Sequence, residues 1–160
     1  MTPDQVLREA EALWAAGDAL GAERKLATLW ADTSRAPGDA LHLLGLIRRV
    51  QGRVPDAERF LRRAIATEPG VARHHLALGE LLAGVQLHDF AVDVFAEALR
   101  LEPDSIQALR ALARSALAAG RGADAEHAAR RLTLAAPGTD SFNVLAGALR
   151  AQDKLEEALQ

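Results

Sequence analysis

The chain has no cysteine and no tyrosine, and two tryptophans and four phenylalanines hold its aromatic content to 4%. Without cysteine there is no disulfide, no thiolate metal site and no cysteine nucleophile. Basic charge is not in excess either: the formal net charge over 160 residues is −3, which argues against a general affinity for nucleic acid. No segment approaches the ~20 apolar residues that a membrane span needs. The opening stretch, "MTPDQVLREAEALW", carries acidic residues and no continuous apolar run, so it does not read as a signal peptide. These absences lead to the expectation of a soluble, cytoplasmic chain. Phosphate-loop and dinucleotide-loop glycine patterns are missing, as are the GxSxG elbow and the HExxH zinc motif. No catalytic constellation is found, and neither a cofactor nor a metal is expected.

What is present is small and aliphatic. Hydrophobic residues make up 49% and charged residues 26%, a globular composition rather than a disordered one. Ala, Leu, Arg and Glu favour helix. The length suits one domain. Internal repetition is strong. Pro69, Pro103 and Pro137 recur at intervals of 34. Ala22, Ala57, Ala91, Ala125 and Ala158 are spaced 35, 34, 34 and 33, and so are Ala10, Gly45, Gly79, Ala113 and Ala146. Gly17, Gly52 and Gly120 form a third series, with Gln86 and Asp153 at the other two equivalent places.

Each period reads as helix, turn, helix. In residues 38–71, Leu41, Leu44, Leu46 and Ile47 fall at near-helical spacing. Gly52 ends that helix, and Pro55 suits the first turn of the next. Ala57, Phe60, Leu61, Ala64 and Ile65 share a face, and Pro69 stops the helix. Small residues midway along the first helix and early in the second predict a close approach that larger side chains would overpack.

This 34-residue pattern resembles the tetratricopeptide repeat (TPR). Residues 72–105 carry it in Gly79, Ala91, Phe95, Ala98 and Pro103; residues 38–71 in Gly45, Gly52, Ala57, Leu61, Ala64 and Pro69. Residues 106–138 match through Ala113, Gly120, Ala125 and Pro137, but exchange bulk at Ala129 and Leu132. Residues 3–37 match more loosely through Ala10, Gly17, Ala22 and Leu26, and a partial unit, 139–160, through Leu145, Ala146 and Ala158. The resemblance implies an all-α solenoid, a right-handed superhelix of about four and a half repeats forming a single domain over 1–160. It also implies a protein-binding groove lined by the first helices, carrying no catalysis of its own.

The stretch "RHHLALGELL", residues 73–82, sets His74 and His75 ahead of Glu80. Positions five or six apart do not share a helix face, so a metal or acid/base role for this trio is not expected. Equivalents of His75 are Val6, Leu41, Leu109 and Phe142, which predicts a packing role; His74 aligns with Gln5, Ala40, Ala108 and Ser141, no consistent functional type. His42 and His127 are single residues on separate repeats, and His88 beside Asp89 reads as a solvated turn. The doubled arginines Arg62-Arg63 and Arg130-Arg131 have Glu58 and Glu126 as neighbours, which suggests a mixed-charge surface.

Carried over position by position, the family's groove residues give Asp4, Leu7, Glu11 and Trp14; Asp39, His42, Leu46 and Arg49; Arg73, Leu76, Glu80 and Ala83; Gln107, Arg110, Arg114 and Leu117; and Asp140, Asn143, Gly147 and Arg150. Leu7, Trp14 and Leu46 make the early part apolar, whereas Arg110, Arg114 and Arg150 make the later part basic. A protein or peptide ligand with an apolar anchor and acidic residues would be complementary. The Lys/Asn and Lys/Arg set of the chaperone carboxylate clamp is absent, so the resemblance does not extend to receptors for chaperone tails.

"DKLEEALQ" is expected to begin a second helix whose Leu155, Ala158 and Leu159 have no following layer, which suggests a truncated array or self-association through that face. Bacterial arrays of this look resemble in layout the N-terminal, substrate-recruiting or oligomerising modules of sulfotransferases, glycosyltransferases and aspartyl/asparaginyl hydroxylase-like enzymes.

Overall fold

A computed structural model describes the backbone of residues 2–158 and the side chains of residues 2–153. Among the described residues every regular element is helical: α1 (Pro3–Ala15), α2 (Ala19–Trp30), a 3₁₀ turn (Thr33–Arg35), α3 (Gly38–Val50), α4 (Val54–Thr67), α5 (Ala72–Gly84), α6 (His88–Leu101), α7 (Ile106–Ala118), α8 (Gly122–Ala135) and α9 (Thr139–Ala158). The fold is all-α. It divides into two compact units at Ala77–Leu78, within α5.

In the first unit, α1 packs on α2 and α3 on α4. Thr2 caps α1: its hydroxyl accepts from the Gln5 N–H, while Gln5 Oε1 accepts from the Thr2 N–H at 2.9 Å. Asp18 caps α2 through the Gly21 N–H at 2.7 Å. The core is Val6, Ala10, Ala22, Leu26, Leu41, Ile47, Phe60 and Ala64, with neighbours of the same kind. A Cβ on Gly45 would stand 2.7 Å from Leu61 Cγ, so glycine is what lets α3 approach α4 at that level. Arg63 donates to the Thr33 carbonyl at 2.7 Å and so ties α4 to the preceding 3₁₀ turn.

In the second unit, α7 packs on α8, and both contact α9; α6 packs on α7. A Cβ on Gly79 would meet the ring of Phe95 at 2.4 Å, and Phe95 is itself buried. Arg131 donates to the Pro103 carbonyl, as Arg63 does to Thr33. The first arginine of each pair, Arg62 or Arg130, pairs instead with Glu58 or Glu126 one turn earlier. The doubled arginines are thus half structural clamp and half mixed-charge surface.

The turn series behaves as the repeat predicts at four places. Gly17, Gly52 and Gly120 have φ of 83°, 73° and 73°, and Gln86 takes the same left-handed conformation at φ 66°. At the fifth place the expectation fails. Asp153 lies inside α9, which runs on from Thr139 to Ala158. Ala-Gln-Asp-Lys-Leu-Glu-Glu contains no glycine or proline, and among the described residues no second helix packs back to reward a turn. The same absence exposes Phe142 and Ala146, whose counterparts Leu109 and Ala113 are buried. The side chains of Leu155, Ala158 and Leu159, expected to present an open face for self-association, lie outside the described residues.

Two stability changes are expected. Gly79→Ala should overpack against Phe95 at a cost of about 1–3 kcal/mol, exceeding the roughly 1 kcal/mol of helix propensity that alanine brings. Phe95→Leu should then cost less in the Gly79→Ala background than alone, because it recreates the Ala10–Leu26 combination of the first repeat. A urea double-mutant cycle reads the coupling; additivity would refute it. Separately, Gln86→Gly should stabilise by about 1 kcal/mol by relieving the left-handed backbone, read as a rise in Tm.

Candidate binding face and a buried histidine cluster

The first helices α1, α3, α5, α7 and α9 carry the expected groove residues, and none of these is buried. In the first unit Leu7, Trp14, His42, Leu46, Arg49 and Leu76 are partly exposed, and Glu11 and Arg73 are exposed. Leu7 and Trp14 also pack against the core cluster, so Trp14 is an anchored, partly exposed side chain. In the second unit Arg110, Arg114, Asn143 and Arg150 are exposed and Glu80 is partly so. Residues lying between them on the same helices, such as Val6, Ala10, Leu41, Ile47, Leu109 and Ala113, are wholly or almost wholly covered.

Charges on this face are already engaged. Arg73 pairs with Asp39. Arg110 Nε lies 2.9 Å from Asp140 Oδ2, and Arg114 approaches the same carboxylate at 3.7 Å. Gln107 Nε2 donates to Glu80 Oε1 at 2.9 Å. Both arginines facing Asp140 remain about half exposed. A cavity of about 330 Å³ in the second unit lies elsewhere, among Val92, Leu99, Leu112, Arg121, His127 and Arg131, and none of the expected groove residues lines it.

Of the two histidines of "RHHLALGELL", His75 is the one expected to pack between helices, but His74 is the buried one. His74 is wholly buried, whereas His75 is partly exposed, its Nε2 3.3 Å from the Pro69 carbonyl. The burial of His74 follows from the layer its row faces. Ala40, Ala108 and Ser141, which align with His74, are buried as well, so this row packs against the repeat before it. His74, His75 and Glu80 form no common site. His74 instead meets Asp39 from the start of α3 and Glu68 from the end of α4, its Nε2 3.7 Å from Asp39 Oδ1 and 3.6 Å from Glu68 Oε2. The three donor atoms lie within 4.8 Å of one another. Glu68 also caps α3, accepting from the Gly38 N–H at 2.9 Å. Pro37, at the head of that helix, offers no side-chain cap. Gly38 permits this: a Cβ there would stand 2.6 Å from the Glu68 carboxyl carbon.

Neither ring nitrogen of His74 has a hydrogen-bond partner, nor has the buried Nδ1 of His42. The His42 and His74 ring centroids are 5.0 Å apart. An unsatisfied buried polar atom costs about 1–3 kcal/mol, so a wholly buried imidazole without partners needs a reason. Burial pushes the His74 imidazole down, although Asp39 and Glu68 oppose it. Burial, with the nearby His74 and Arg73 adding to it against Asp39, pushes His42 down to about 4. The sequence signal for this cluster was the aligned row of buried positions, not any short-range helical spacing, because Asp39, Glu68 and His74 belong to three successive helices and their ends.

Stability should therefore depend on pH. With the His42 pKa near 4 when folded and near 6.5 when unfolded, the unfolded chain binds more protons between these values. Stability from His42 is fully present above about pH 6.5 and is lost as pH falls towards 4. With EDTA present, the urea midpoint should fall over this window, and His42→Gln should flatten the fall. An unchanged slope in the variant would remove His42 as the cause.

No family model matches the chain, and no curated protein matches it. Solved structures do. A MamA mutant superposes with a TM-score of 0.80 at 20% identity, covering 98% of this chain and 91% of that one. The first TPR of Spaghetti (RPAP3), bound to the HSP90 peptide SRMEEVD, gives a TM-score of 0.67 at 14% identity, covering 72% and 93%. An O-GlcNAc transferase mutant from Thermobaculum terrenum gives 0.70 at 30% identity over 81% of this chain, which spans only 26% of that enzyme. With its helix pairs, its left-handed turns and its 34-residue period, the chain has the tetratricopeptide-repeat fold.

Proposed function

We propose that this chain is a protein-interaction scaffold that binds a peptide or a partner helix on the face of its first helices and carries no chemistry of its own. The observation that supports it most directly is the accessibility of the expected contact residues on helices whose intervening residues are buried. The similar RPAP3 repeat holds a peptide, which makes peptide capture a natural use of this fold. The chain lacks the carboxylate-clamp residues, so a chaperone tail is not the favoured ligand. In the first unit Leu7, Trp14 and Leu46 offer apolar contact, which favours a segment with an apolar anchor; in the second Arg110, Arg114 and Arg150 offer positive charge, which favours acidic residues. Among the described residues no helix is long and apolar enough to cross a membrane.

The likeness to an O-GlcNAc transferase at 30% identity supports a second reading, in which the chain recruits substrate for a larger enzyme. The mass of the protein in its source cells separates the two: 17.1 kDa for the chain alone, more for a larger enzyme.

A displayed peptide library selected on the intact chain tests the proposal. Selected peptides should be rich in acidic and apolar residues. Trp14→Ala, and separately the pair Arg110→Glu and Arg114→Glu, should each weaken their binding about tenfold, roughly 1.4 kcal/mol, with helicity unchanged by circular dichroism. Binding at parental strength by both variants would move the site off this face.

A further inference from the structure

We propose that Asp39, Glu68 and His74 form a binding site for a divalent transition-metal ion of the zinc class. The spacing of the donors carries the proposal. At 3.6 and 3.7 Å, His74 Nε2 stands too far from Glu68 Oε2 and Asp39 Oδ1 to share a proton with either. Zinc bonds nitrogen and oxygen at about 2.0–2.1 Å, so two ligands on a tetrahedron stand about 3.4 Å apart. The observed separations are close to those of atoms divided by an ion. The second observation is the state of the imidazole itself. His74 is wholly buried, both its ring nitrogens are without hydrogen-bond partners, and Nε2 is aimed between the two acids. An ion would satisfy Nε2.

The chemistry of the set is selective. Two carboxylates offset the charge of a divalent ion, and a neutral imidazole favours zinc-like ions over magnesium or calcium. Burial holds His74 below its ordinary value, so its lone pair is available at neutral pH. Asp39 and Glu68 are about one-third exposed, while the donor atoms Asp39 Oδ1 and His74 Nε2 are themselves covered, so an ion would have to enter past the side chains that cover them. The three ligands come from the start of α3, the end of α4 and the first turn of α5, so an ion would pin three helices of the first unit together. One cation already competes: Arg73 pairs with Asp39 Oδ1. Its side chain is half exposed, so an ion would have to displace it from Asp39.

Isothermal titration of zinc sulfate into the intact chain, stripped with EDTA and dialysed, tests the site. One zinc per chain is expected, with magnesium failing to compete. Asp39→Asn and His74→Gln should each weaken binding about tenfold or more. Arg73→Ala should tighten it by removing the competing cation, a change that a purely structural cluster would not produce. His75→Gln and His127→Gln should leave it unchanged. No zinc binding, binding indifferent to Asp39→Asn, or equal competition by magnesium would each overturn the proposal. If His74→Gln loses its helicity, Asp39→Asn decides the matter, because Asp39 is partly exposed and the substitution is nearly isosteric.

Discussion

Everything else in this protein depends on how closely the two helices of a repeat can approach. The contact is made where a small residue on the first helix meets a bulky one on the second. Gly45 lies against Leu61 and Gly79 against Phe95, each so close that even a methyl group would collide. Ala10 and Leu26 occupy the same places in the first repeat and are both buried. The fourth repeat reaches closure differently. Ala129 is small where the others are large, and Leu132, one turn further, is large where the second and third repeats have Ala64 and Ala98; both are fully covered. Volume is conserved although its position moves, which is the kind of exchange a packed interior tolerates. Because the second helix fixes the rotation of the first, it also fixes which residues of the first helix remain accessible. The candidate binding face is a consequence of that lock.

The first helix of the fifth repeat, α9, shows what the lock does, because among the described residues it has no second helix of its own repeat packed on it. α9 continues past Asp153, and Phe142 and Ala146, which would face a second helix, are exposed. Ser141, Val144 and Ala148 are buried instead, since they belong to the stripe that faces the preceding repeat. A turn in a helical chain is favoured only when the helix beyond it can bury surface in return. Gln86 makes the same point from the other side. It holds a left-handed backbone that costs a non-glycine residue about 1–2 kcal/mol, and it does so because α6 brings Phe95 and Leu99 into cover.

Periodicity made the helices, their turns and the small-against-large contacts legible in the sequence, because each rests on residues recurring at one interval. The accessible stripe came from the same alignment. What stayed hidden depends on relations across repeats. Asp39, Glu68 and His74 are separated by 29 and 6 residues, and their meeting requires knowing that the row containing His74 faces backwards into the preceding layer. The aligned residues Ala40, Ala108 and Ser141 are small, and that was the available sign that a histidine there would be covered. The ion pairs of the candidate face were equally hidden. Arg110 and Asp140 belong to successive repeats, and their composition alone suggested a bare basic patch.

Those ion pairs bear on what the face can select. An acidic ligand in the second unit would not add charge to empty arginines; it would replace Asp140. Exposed pairs of this kind contribute only about 0–1 kcal/mol, so a carboxylate with better geometry can displace the internal one at small cost. The converse also holds. With Asp140 in place, weakly placed acids gain little, and non-specific attraction to the arginines is muted. The apolar residues of the first unit differ in kind. Leu7 and Trp14 rest on the core and are already ordered, so little side-chain entropy is lost when a ligand covers their exposed edges. In the first unit affinity is therefore expected to come from the preordered apolar contacts; in the second, discrimination is expected to turn on whether an incoming acid can take the place that Asp140 holds.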